Sequence, residues 1–135
     1  MPKYNQWIIR LALLYLVAGF TSGGLVLLQK AFPFLSWAWM LRPIHIELLF
    51  FGWMVQLIFG VGSWILPRTP SRRNQRPLLG AVLLLNAGVL CSCLSVIVPL
   101  SYLPLSGKLL ELASVATFAS YILPRVRPFI THSHD

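Results

Sequence analysis

Four apolar segments dominate the chain, at about 7–28, 44–66, 78–100 and 105–123. Each comes close to the ~20 residues that a helix needs to cross a hydrocarbon core. Backbone exposed to lipid must satisfy its own hydrogen bonds, so segments of this kind are helical. None of them alternates apolar and polar residues as a membrane barrel strand would. The expected fold is therefore all-α: an integral membrane four-helix bundle, with residues 1–135 forming one four-span transmembrane domain. Composition agrees. Hydrophobic residues make up 57% of the 135 and charged residues only 10%, against about 25% charged in soluble domains. That balance excludes an ordinary soluble enzyme, a disordered tail or a nucleic-acid-binding domain.

The charge distribution gives an orientation. There are 11 Lys plus Arg against 3 Asp plus Glu, for a net charge of +8. Lys3, Arg10, Arg68, Arg72, Arg73, Arg76, Arg125 and Arg127 fall on one side of the expected topology. Only Lys30, Arg42 and Lys108 fall on the other. The positive-inside rule then puts both termini and the Arg-rich loop in the cytoplasm, giving a multi-pass protein of the inner membrane. Pro33, Pro43, Pro67, Pro70, Pro77 and Pro104 punctuate the connections. Trp7, Trp37 and Trp39 lie near expected interfaces, where indole prefers to sit. The opening MPKYNQ runs into the first apolar segment with no small-residue cleavage site. Cys91 and Cys93 read as packing thiols, since two positions on one helix are badly placed for a disulfide. His132 and His134, in the terminal THSHD, read as a solvated end rather than a metal site.

An ionisable residue inside a span is a functional hypothesis by default. His45 and Glu47 open the second span, and Glu111 lies near the same end of the fourth. On a wheel of about 100° per residue, Gly52 and Gln56 fall within about 20° of His45, and Ser63 is nearly in line. His45, Gly52, Gln56 and Ser63 therefore form a polar and small stripe, while Glu47 lies about 160° away. Glu111 is then the carboxylate able to orient or charge-compensate His45 across the bundle; alternatively it pairs with Lys108, three residues earlier. Gly19 with Gly23, and Gly88 with Ser92, offer small-residue pairs for close helix packing. Neutral imidazole in an apolar pocket is a good haem-iron ligand. Gly52 leaves room for a flat macrocycle, and Arg42, at the boundary, suits a haem propionate. Trp37, Trp39 and Phe50 are candidates to cover the ring. No nucleophile–base pair, carboxylate pair or phosphate loop points to catalysis.

The stretch LRPIHIELLFFGWMVQLIFGVGSWILPR, residues 41–68, resembles the second transmembrane helix of subunit I in the haem–copper oxidase superfamily. The likeness is greatest to the C-type oxidases and nitric oxide reductases, and rests on Arg42-Pro43-Ile44-His45, then Gly52, Gly60, Pro67 and Arg68. The chain's four spans are similar in extent to the first four helices of that subunit. The resemblance implies that His45 is an axial ligand of a low-spin haem b near the outer face. The second ligand of that haem, which the family takes from a later helix, has no counterpart here, nor do the further histidines for copper and a high-spin haem. The resemblance therefore stops short of oxygen or nitric oxide reduction. The sixth iron position is open to four sources. These are a second His45 across a homodimer formed through the second span, Met40, a partner subunit, or a gas ligand. The expected work is electron transfer or haem-based gas and redox sensing, with no nucleic-acid partner. The alternatives are a cofactor-free structural or assembly subunit of a larger membrane complex and, less directly, a quinone-reactive site near Glu111 and His45.

Overall fold

A computed structural model describes residues 3–66 and 75–126. Among these residues the chain is helical, with no strand, and forms four rods. The first is α1, Lys3–Ala31. The second is a continuous rod, Pro33–Ile65. It opens as a 3₁₀ stretch (Pro33–Met40) and becomes α2 (Leu41–Glu47), then a π-helical stretch (Leu48–Val55), then α3 (Gln56–Ile65). The third and fourth rods are α4 (Arg76–Ile97) and α5 (Leu103–Val126). The first three rods are long and apolar enough to cross a membrane. α5 is as long but carries Gly107, Lys108, Glu111 and a run of Ser and Thr residues, which lower its apolar content. The Arg-rich loop's Arg68, Arg72 and Arg73, together with Arg127, His132 and His134, lie outside the described residues.

The second rod starts eleven residues before the expected position 44. Pro33 sits in the first turn of the 3₁₀ stretch, where its missing N–H costs no hydrogen bond. Pro43 is two residues into α2, early enough for the helix to accept it. The third rod ends at Ile97 rather than at 100. Neighbouring rods run antiparallel. Asn5 meets Gly60 and Ser63, Gly52 meets Tyr15, and His45 meets Gly19 along α1. α4 and α5 form a tight hairpin. A Cβ at Gly88 would lie 2.8 Å from Glu111 Cγ and 2.9 Å from the Gly107 carbonyl oxygen. Small residues at both positions allow that approach.

The apolar core gathers at one end, around Ile8, Phe59, Leu78, Leu85 and Tyr121. Phe59 and Phe118 stack there with centroids 4.0 Å apart. Polar side chains tie the rods along their length. Asn86 Nδ2 donates to Gln56 Oε1 (2.9 Å) and Oδ1 accepts from the Tyr15 hydroxyl (2.7 Å), so one amide joins α4 to α1 and to the second rod. Asn86 is therefore interhelical glue. Outward faces carry large exposed apolar side chains such as Leu14, Val17, Phe20, Leu83 and Leu112.

Candidate functional site: the His45 groove

The whole stripe His45, Gly52, Gln56 and Ser63 faces α1. Gly52 is buried, and a Cβ there would lie 2.7 Å from Tyr15 Cγ. Gln56 reaches the Ile8 carbonyl (3.4 Å), and Ser63 accepts from Asn5 (2.7 Å). Gly52 therefore serves close packing on Tyr15 and lies away from the groove beside His45. The stripe is occupied within the chain, which leaves a second copy no access to Gly52, Gln56 or Ser63.

His45 is half-buried at the upper end of this interface. Its Nδ1 lies 2.7 Å from the Gly19 carbonyl oxygen. A carbonyl only accepts, so Nδ1 carries the proton and, in the neutral ring, Nε2 keeps its lone pair. Gly23 makes room for the ring: a Cβ there would come within 2.5 Å of His45 Cε1 and 2.6 Å of Nδ1. The small pair Gly19 and Gly23 thus holds the imidazole as well as packing the rods. Beside the ring lies a groove of about 650 Å³, a size suited to a small organic ligand. α1 lines it with Phe20, Gly23, Gly24 and Lys30, and the second rod with Trp39, Arg42 and His45. A Cβ at Gly24 would meet nothing within 4 Å. Arg42 is exposed at the mouth, its guanidinium carbon 5.2 Å from the Trp39 ring centroid. His45 also borders a smaller groove of about 340 Å³ shared with Phe50, Trp53 and Met54. Trp37 is exposed and lines neither groove.

A haem-like group is consistent with these residues. The donor set is one imidazole, Gly24 leaves open wall near it, most of the other walls are apolar, and two cations stand at the mouth. The first turn of the π-helical stretch begins three residues after His45, and such stretches often mark functional sites.

Glu111 does not reach His45. Its Oε2 lies 3.0 Å from Lys108 Nζ, and its Oε1 accepts from Ser92 (3.0 Å). Lys108 Nζ also lies 2.6 Å from Glu47 Oε2. Both carboxylates are buried, Glu47 at 9% and Glu111 at 1% exposure. The i to i+3 pairing of Lys108 with Glu111 is as expected from spacing; the convergence of Glu47 on the same lysine is not. Glu47 points away from α1, so one turn of the second rod carries two separate polar sites: imidazole toward α1 and carboxylate toward α5. Among the described residues no cluster of three His, Cys, Asp or Glu could hold a bare metal ion. Cys91 and Cys93 are free thiols, half-buried on α4.

The sequence reading gave Gly23 only as a packing residue and Lys30 only as a flanking charge, and did not single out Gly24. Their relevance depends on the antiparallel register of α1 against the second rod, which brings the end of one beside the beginning of the other. Comparison with protein-family models, curated proteins and solved structures finds no match for this chain.

Proposed function

We propose that the chain is a membrane-embedded b-type haem protein that works in electron transfer or haem-based redox and gas sensing. Its four rods cross the inner membrane, with both termini and the Arg-rich loop on the cytoplasmic side. His45 would bind the iron through Nε2, and Arg42 would hold a propionate at the outer boundary. The haem supplies a one-electron iron couple. The protein's part is to hold the ring in an apolar groove, fix the imidazole tautomer through Gly19 and neutralise the propionate end. The resemblance of residues 41–68 to the second helix of oxidase subunit I supports the same assignment.

The observation that carries this reading is the imidazole itself. Its Nδ1 is engaged by the Gly19 carbonyl while the ring lines a groove large enough for an organic ligand. A hydrogen bond on the far nitrogen of an imidazole is how proteins orient a ligating histidine and raise its basicity. Among the described residues no second His, Met or Cys lines that groove. A further iron ligand would then come from His45 of a second copy in a two-fold dimer, from another subunit or from a gas. A dimer through the second rod would use its outward face beside the groove, where Ile46 and Phe50 are 55% and 48% exposed.

The test is an absorption spectrum of protein purified from haem-replete cells. A Soret band and a reduced α-band are expected, low-spin if two histidines bind the iron. His45→Ala should lose the band while the protein remains folded by circular dichroism. Haem retained in that variant would remove His45 from the ligand set. Colourless wild-type protein that co-purifies with a larger complex would favour the cofactor-free subunit instead.

A further inference from the structure

We infer that Lys30 and Arg42 act as a two-cation clamp for an amphiphile carrying two carboxylates at one end, its apolar body lying in the His45 groove. This rests on the haem reading and adds a second charged contact to it. Both side chains are exposed at the same groove, one from the last turns of α1 and one from the start of α2. Neither has an acidic partner among the described residues. The chain has only 3 acidic residues. Glu47 and Glu111 are engaged by Lys108, and Asp135 lies outside the described residues. Among the described residues the pair therefore has no carboxylate beside it, which leaves both cations available to an anionic ligand. Arg42 presents a planar fork suited to one carboxylate, and Lys30 a mobile point charge that can follow the second. The same chemistry, paired anionic oxygens on an apolar body, is also found in a phospholipid headgroup.

Reconstitution separates these sources. Apo-protein in nanodiscs is titrated with haem b and with its dimethyl ester, which keeps the ring and iron but has no carboxylates. Wild-type protein should bind the acid more tightly than the ester. Lys30→Gln and Arg42→Gln should each weaken acid binding by about tenfold and leave ester binding unchanged. The double variant should bind both forms alike. Equal weakening for acid and ester would make the two residues merely structural and overturn the clamp. Undiminished discrimination in the double variant would also overturn it, as would discrimination that is absent from the start while both variants lose bound anionic lipid. A wild-type protein that binds neither form fails at the haem reading itself, and the clamp falls with it.

Discussion

At the scale of single residues, the groove depends on what is absent from two glycine positions one step apart. Gly23 presses on the imidazole, and Gly24 faces open space. A methyl at position 23 would sit 2.5 Å from His45 Cε1. The ring must then move and stretch or break its 2.7 Å contact with the Gly19 carbonyl. Overpacking of this kind costs about 1–3 kcal/mol. Gly23→Ala should therefore lower haem occupancy about tenfold, measured as the haem-to-protein ratio after purification, whereas Gly24→Ala should keep the fold and most of the haem. If both variants bind normally, the imidazole is not held as described. His45 was legible in the sequence because an imidazole among apolar residues has few reasons to be there. Gly52 was legible as a small residue on the right face, but its partner was not: a wheel gives an angle and not the Tyr15 ring that fills it. Lys30 was read only as a flanking charge, since nothing local ties it to a histidine fifteen positions away.

Helices and their junctions present a different balance. The apolar lengths located all four rods, because lipid or core burial has to be continuous. The prolines misplaced the start of the second rod, because a proline in an opening turn breaks no bond and stops nothing. The π-helical stretch Leu48–Val55 has no sequence mark, yet the stripe survives across it, with His45 and Ser63 both against α1. The second rod and α5 are joined at one end by the Phe59–Phe118 stack and at the other by Lys108, which holds one carboxylate from each element. Removing a partner from a fully buried ion pair costs about 3–5 kcal/mol; here the carboxylates are buried but Lys108 is half-exposed, so solvent screening lowers the cost. Lys108→Met leaves two such carboxylates, one of them anchored only by Ser92. It should lower the midpoint of thermal unfolding in detergent far more than Glu47→Gln, which leaves one lysine facing one carboxylate. Equal effects from the two variants would mean that the cluster does not join these elements. Neither variant should disturb the Soret band, because the carboxylates face α5 while His45 faces α1.

For the molecule as a whole, the charges divide by function as well as by side under the proposed reading. Antiparallel rods bring Lys30 and Arg42 to one groove mouth, and Lys108 lies level with Glu47 toward the same end. All three cations on that side thus have a stated task. The other eight of the 11 Lys and Arg have a different one under the proposed topology, which is to keep their side in the cytoplasm. The two tasks predict opposite results from charge removal. Neutralising Lys30 and Arg42 raises the bias from eight against three to eight against one, so orientation should hold while preference for carboxylated haem is lost. Neutralising Arg68, Arg72, Arg73 and Arg76 together brings the count to four against three, so a reporter at the C-terminus should read a mixture of sides. The correctly inserted fraction should still bind haem, because α1 and the second rod line the groove. Reporter fusions, one active only in the cytoplasm and one only outside it, give the first answer, and the Soret band gives the second. A C-terminus found outside in the unaltered protein would reverse the orientation and put the groove at the cytoplasmic face. The contacts among α1, the second rod and α5 would be unchanged by that reversal, since they depend on register and not on the side from which the bundle is viewed.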